Sequence, residues 1–194
     1  MSAEAVPSAP AAGSMPLAAP ATARLQGLVT AHSRVVWRFL RRLGLSAADA
    51  DDGLQDVMLV AARRLEDIRI GSERAFLLGT AYRTASSLRQ VRGRRREVSD
   101  DVLMEMSDPA PHPDAATEQR RARRLLDEVL SNMPLERRAV FVAAEFEGLS
   151  LTEIADVLGI PRGTAASRLR AARDDFKSHV ARLQARFQIA RGST

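Results

Sequence analysis

Apolar residues return every three or four positions along most of the chain, the period of helices buried on one face. Thr22 can cap a helix that runs to about Leu43. Its stripe is Leu25, Leu28, Val29, Val35, Val36, Phe39 and Leu40, with Arg34, Arg38, Arg41 and Arg42 outside and Gly44 at its end. Trp37 lies off this stripe and reads as a core or partner contact. Ser46 and Asp49 have the spacing of a capping box and open a second helix to about Leu65. Its core face is Ala50, Leu54, Val57, Met58, Ala61 and Leu65. Residues 67–72 (DIRIGS) read as a loop. A third helix, from about Glu73 to Val91, buries Leu77, Ala81, Thr84 and Leu88. Thr117 caps a fourth helix through Leu130, with Leu125, Leu126, Val129 and Leu130 inward, and Pro134 restarts a fifth to about Phe146. No stretch reads convincingly as a strand.

The most informative pattern is EGLSLTEIADVLGIPRGTAASRLRAAR, residues 147–173. Ser150 and Glu153 form a second capping box, and Leu149 with Ile154 can close a hydrophobic staple. The short helix that follows buries Ile154, Ala155 and Leu158 and ends at Gly159, which supplies the left-handed residue. After Pro161 another helix buries Ala165, Leu169, Ala172 and Phe176. Thr164, Ser167, Arg170 and Ala171 then face away from that core, with Arg168 on the flank. Two short helices, a Gly-containing turn and a basic outer face predict a helix-turn-helix. A helical hairpin with merely solvated arginines is the plainer alternative. The last helix continues through Val180, Leu183 and Phe187.

Two segments break the periodicity. Residues 1–21 are rich in Ala, Pro and Ser, and Pro7, Pro10, Pro16 and Pro20 forbid a continuous helix, so a disordered tail is expected. Residues 97–116 interleave Asp100, Asp101, Asp108 and Asp114 with Pro109, Pro111 and Pro113, the composition of a linker. The predicted fold is all-α. Two small helical domains, residues 22–96 and 117–188, are joined by a flexible acidic linker, and the second domain carries the helix-turn-helix.

The chain has 194 residues, enough for one or two small cores. It lacks cysteine, which removes disulfides, thiolate metal sites and a cysteine nucleophile. His32, His112 and His179 do not cluster in sequence. No nucleophile–base pair, metal-ligand spacing or phosphate-cradling glycine loop occurs, so neither catalytic residue nor metal nor cofactor is expected. Net charge is +5, and 28 of the 29 basic residues are arginine, Lys177 being the exception. Guanidinium forks suit a polyanionic partner, and a coding bias towards arginine is the plainer alternative. With no apolar run of membrane-span length and no signal-peptide pattern at the start, a cytoplasmic protein without membrane insertion is expected.

Two faces carry candidate chemistry. Opposite the core stripe of the second helix lie Asp52, Gln55, Asp56 and Leu59. The macrodipole accounts for acids near a helix start, Asp49, Asp51 and Asp52, but not for Asp56 or an exposed Leu59. An apolar residue among carboxylates also fits a docking face for a basic partner. The third helix carries Arg83, Arg89 and Arg92 into Arg94, Arg95 and Arg96, which reads either as a solvated helix end or as a nucleic-acid track.

On these motifs the chain resembles a bacterial extracytoplasmic-function sigma factor, which keeps only regions 2 and 4, from about Leu25 to Phe176. DADDGLQDVMLVAARRL looks like the region 2 helix that docks on polymerase. MPLERRAVFVAAEFEGLSLTEIADVLGIPRGTAASRLRAAR looks like region 4, which in the family reads the −35 element. The resemblance implies core RNA polymerase as partner (the β′ clamp helices and the β flap), together with promoter DNA and an anti-sigma factor. By position, Asp52, Gln55, Asp56 and Leu59 would contact polymerase. Ile68, Arg69, Ile70, Arg83, Arg89 and Arg92 would serve the −10 element, where the loop 67–72 captures a flipped base. Arg162, Thr164, Ser167, Arg168, Arg170 and Arg173 would serve the −35 element. The chain departs from the family pattern at Glu73, Phe76 and Leu77, at Arg83 and Ser87, and at Ala166 and Ala171. A relative's promoter sequence therefore does not carry over. An operator-binding helix-turn-helix regulator is the competing function, and it leaves the acidic face and the arginine-rich helix without a role.

Overall fold

Both capping boxes expected from sequence are formed. The Ser46 hydroxyl accepts the Asp49 amide at 3.2 Å and the Asp49 carboxylate accepts the Ser46 amide at 3.3 Å. At the second, the Ser150 hydroxyl accepts the Glu153 amide at 3.3 Å, while the Glu153 carboxylate accepts the Ser150 amide at 2.8 Å and its hydroxyl at 2.7 Å. The computed structural model describes residues 19–96 and 115–192, with side chains for 20–91 and 121–186. The helices are α1 Ala19–Arg42, α2 Ala47–Arg63, α3 Glu73–Arg96, α4 Ala115–Ser131, α5 Leu135–Glu145, α6 Leu151–Leu158 and α7 Arg162–Gly192, with a 3-10 turn Leu65–Asp67 between α2 and α3. No strand occurs among the described residues.

Several boundaries differ from the pattern. Helix α1 starts at Ala19, ahead of Thr22 and inside the expected tail. Pro20 permits this because a first turn needs no N–H from it. Residues 1–18 lie outside the described residues, as do 97–114 of the expected linker. Helix α3 continues past Val91 to Arg96, so Arg92 and Arg94–Arg96 stand on the helix itself. Helix α4 starts at Ala115, which places Thr117 inside it rather than at its cap. Val29, expected on the core stripe, is exposed.

Helices α1, α2 and α3 pack on one another, and α5, α6 and α7 form a second group with α4 against α7. Phe39, Leu40, Val57, Leu77 and Leu78 fill the first group, and Val140, Val142, Ile154, Ala165 and Ala172 the second. Phe176 stacks on Phe141 with ring centroids 5.0 Å apart, tying α7 to α5. Gly159 ends α6 at φ +65°, as its left-handed role requires.

The second cap yields a stability prediction. Ser150→Ala should destabilise the fold by about 1 kcal/mol, read as a lower thermal midpoint at neutral pH. The Ser150 hydroxyl and amide hold the Glu153 carboxyl below its usual range. A carboxyl lowered on folding stabilises above its unfolded pKa, and the contribution is lost as pH falls through the folded value. The difference between wild type and Ser150→Ala should therefore shrink in acid.

Candidate nucleic-acid interface

Three surfaces carry the sequence-derived residues. On α2, Asp52, Gln55, Asp56 and Leu59 are all exposed, at helical offsets of three, one and three that form one stripe. Leu59 keeps 48% of its surface in water, a cost that folding alone does not recover. The start of this helix is held apart from the stripe. Its cap is made by Ser46 and Asp49, and Trp37 of α1 donates its indole N–H to the Asp51 carboxylate at 2.8 Å.

The loop between the 3-10 turn and α3 divides its side chains sharply. Ile68 is buried, so it anchors the loop and does not face a base, contrary to its expected role. Arg69 and Ile70 point outward, and Ile70 is 89% exposed. Gly71 turns the chain at φ +87° and its N–H reaches the Glu73 carboxylate at 2.6 Å. Arg83 is exposed one face over on α3 and donates to the Thr80 hydroxyl at 3.3 Å. Arg89 is engaged elsewhere, donating to the Leu43 carbonyl at 3.2 Å. The Arg92 side chain lies outside the described residues.

On α7, Ala165, Leu169 and Ala172 are buried, while Ser167 and Arg170 are exposed and Thr164, Arg168 and Ala171 are half-buried. The register expected from Leu169 is therefore the one adopted. Arg162 is exposed at the start of α7. Arg173 is tied down instead, forming an ion pair with Glu145 of α5 at 2.7 Å. The Ser167 hydroxyl donates to the Thr164 carbonyl at 3.0 Å and can rotate away to a groove partner.

What sequence did not reveal is the contact between the two groups of helices. Helix α6 packs on α3, so closely that a Cβ on Gly79 would stand 2.8 Å from the Val157 carbonyl oxygen. Glu147, buried in the turn before α6, accepts from Arg42 of α1 at 3.1 Å and from Arg74 of α3 at 2.6 Å. The Arg42 guanidinium also lies 4.2 Å from the centre of the Phe146 ring. Burial lowers the Arg42 pKa and the Glu147 carboxylate opposes that shift. Arg138 of α5 is buried and donates to the Leu43 carbonyl and the Met133 carbonyl, each at 3.0 Å. Burial pushes its pKa down to about 10, with Arg89 acting in the same sense, so it stays charged at neutral pH. One signal was available: Arg138 stands three residues after Leu135 and four before Val142, on the inward face of α5. Glu153 and Asp156 of α6 share a cleft of about 380 Å³ with Asp67, Arg69, Phe76 and Arg83.

Comparison with known proteins assigns these groups of helices. The family described as Sigma-70 region 2 matches residues 28–97, and that described as Sigma-70, region 4 matches residues 123–175. The chain is 31% identical to the ECF RNA polymerase sigma factor SigM of Mycobacterium tuberculosis (strain H37Rv) over 73% of this chain and 69% of that protein. Its identity to SigL of the same strain is also 31%, over 80% of this chain and 88% of SigL. The chain belongs to the ECF RNA polymerase sigma factors. The match to SigE of Mycolicibacterium smegmatis, 28% identical, covers 80% of the sigma factor described here but only 61% of SigE. Among solved structures, RpoE of Bartonella quintana in complex with the anti-sigma factor NepR superposes with a TM-score of 0.67 at 21% identity, over 80% of this chain and 96% of that one. CnrH in complex with the cytosolic domain of CnrY gives a TM-score of 0.59 at 21% identity, over 83% and 94%. These likenesses bear on the fold, and the matched segments fall along it, residues 28–97 over α1–α3 and residues 123–175 over α4–α7. No helix among the described residues is long and apolar enough to cross a membrane.

Proposed function

We propose that this sigma factor docks on core RNA polymerase through Asp52, Gln55, Asp56 and Leu59, on the β′ clamp helices. It reads duplex −35 DNA with the outer face of α7 and melted −10 strand with the loop 67–72. The observation that carries this reading is the stripe on α2, exposed, acidic and interrupted by Leu59, on the same chain as a basic recognition helix. An operator-binding regulator has no use for that stripe. The protein acts in the cytoplasm, as a specificity subunit with no catalytic residue of its own. RpoE is seen with the anti-sigma factor NepR and CnrH with the cytosolic domain of CnrY, and we assign this chain an anti-sigma factor by the likeness to RpoE.

The reading has a geometric consequence. Element centres some 25 base pairs apart are separated by roughly 85 Å at about 3.4 Å per base pair. With α6 against α3, the loop 67–72 and the helix-turn-helix border one cleft. Simultaneous reading therefore requires α6 to leave α3.

Run-off transcription with purified core polymerase on a template library, with start sites mapped, tests the proposal. Specific initiation only in the presence of both proteins is expected, and specific DNA binding that ignores the polymerase would favour the regulator. The same library randomised across the −35 element isolates Arg170. If its fork meets a guanine, Arg170→Ala should cost roughly 1–3 kcal/mol on promoters carrying that base, whereas a phosphate-gripping Arg168 should weaken all promoters alike. Identical −35 preferences with and without Arg170 would remove it from base reading.

A further inference from the structure

We propose that Arg24, on the first turns of α1, is a positioning residue for the loop 67–72, setting the base on which its outward side chains stand. The inference rests on reading that loop as the part that meets the −10 strand. The Arg24 guanidinium donates through Nη1 to the Leu65 carbonyl at 2.9 Å and through Nη2 to the Ile68 carbonyl, 41 and 44 residues along the chain. The Leu65 carbonyl opens the 3-10 turn, and the Ile68 carbonyl stands just past that turn, inside the loop itself. The Ile68 carbonyl lies at a helix end, where a cation is favoured and intrahelical donors run out, while the Leu65 carbonyl accepts the Ile68 amide at 3.3 Å and takes Arg24 as a second donor. A planar fork spans two carbonyls at once, which an ammonium on a flexible stem does not.

The remaining supports of the loop leave this position to Arg24. Its far end is closed locally, by the Ser72 amide on the Arg69 carbonyl at 3.0 Å and the Gly71 amide on Glu73. Its near end has the buried side chains of Leu65 and Ile68, which fix depth, and the exposed Arg64–Asp67 pair at 3.0 Å, which is worth little in water. Between these ends Arg69 and Ile70 face solvent, and Ile70 is far more exposed than Val29, Leu59 or Val91. An apolar side chain in water on a backbone fixed at both ends suits contact with an unstacked base, provided the backbone does not drift. Arg24 lies ahead of residue 28, where the match to Sigma-70 region 2 begins, so this support comes from outside the matched segment.

The experiment uses the full chain with core polymerase and the promoter that the wild-type holoenzyme selects from a library randomised at both elements. That promoter is prepared as a duplex and with its −10 segment pre-melted by mismatches. Four proteins are compared: wild type, Arg24→Met, Arg24→Lys and Ile70→Ala. Losing one charge-assisted fork should reduce discrimination among −10 bases roughly tenfold in Arg24→Met, on the pre-melted template as well as the duplex. The −35 preference and the affinity for core enzyme should not change. Arg24→Lys, which keeps the charge and the stem, should recover only part of the discrimination. Amide exchange across residues 66–71 should quicken in Arg24→Met. An unchanged −10 preference in Arg24→Met, where Ile70→Ala does alter it, would overturn the role of Arg24 and leave the loop as reader. An unchanged preference in Ile70→Ala and Arg24→Met together would overturn the reading of the loop itself. Equal losses at −10, at −35 and in core affinity, with a lowered thermal midpoint, would reduce Arg24 to a fold contact and overturn the proposal.

Discussion

Changing Asp52 and Asp56 together to arginine is expected to weaken binding to core RNA polymerase by roughly 10- to 1,000-fold, since like charges brought face to face cost several kcal/mol and each 1.4 kcal/mol is tenfold. The fold should scarcely respond. Both residues are exposed, the cap of α2 belongs to Ser46 and Asp49, and surface substitutions away from such features stay within about 0.5 kcal/mol. Leu59→Ala should add a smaller loss, because its exposed apolar surface would be buried only in the complex. Titrating labelled sigma factor with core enzyme, at two salt concentrations and alongside thermal melts, gives both quantities. The charge-reversal loss should be larger at low salt, and the Leu59→Ala loss nearly independent of it. Unchanged affinity would remove the α2 stripe from the polymerase interface, and a loss that tracks the melting temperature would make it structural.

The parts of this molecule that could be read from sequence are those decided within a few residues. The Ser46–Asp49 and Ser150–Glu153 boxes, the left-handed Gly159 and the outward set Ser167 and Arg170 follow from spacings of three or four, where covalent geometry alone brings groups together. The buried residues of α3 were harder to place. That helix touches α1, α2 and α6, so Leu77, Leu78, Gly79, Thr80, Ala81 and Ala85 are all buried and no single stripe describes them. The loop was located correctly, but the inward turn of Ile68 was not, because an isoleucine between charged neighbours has no period to follow. Arg24 and Glu147 were illegible for a different reason. Their partners lie 41 to 105 residues away, and a lone charge in a sequence with 29 basic residues gives no sign of which one it will meet.

Of these two charges it is Glu147 whose ion pairs join the two groups of helices, and Glu147→Ala should expose what they contribute. The carboxylate is buried and each of its oxygens is held by a different arginine, Arg42 of α1 and Arg74 of α3. Removing it leaves two guanidinium groups without their counter-ion, and because Arg42 and Arg74 keep 24% and 42% of their side-chain surface in water the cost should fall below the roughly 3–5 kcal/mol of a fully buried pair. The loss should fall on the interface and not on either core, because Val57 and Leu77 on one side and Val142 and Ala172 on the other are untouched. A single thermal transition should therefore split into two, and the radius of gyration from solution scattering should rise. Arg138→Met provides a second route to the same state: it keeps most of the volume but removes the bond from α5 to the Leu43 carbonyl, which retains Arg89, and strips the Met133 carbonyl of this donor at about 1–3 kcal/mol, partly offset by relief of a buried charge. If opening is the step that lets one chain span both promoter elements, both variants should also raise the affinity of the free sigma factor for a −35 duplex while leaving the holoenzyme's start sites unchanged. A Glu147→Ala protein that melts in one transition at the wild-type radius would show that α6 and α3 are held by apolar contact through Gly79 and Val157, with the ion pairs contributing little.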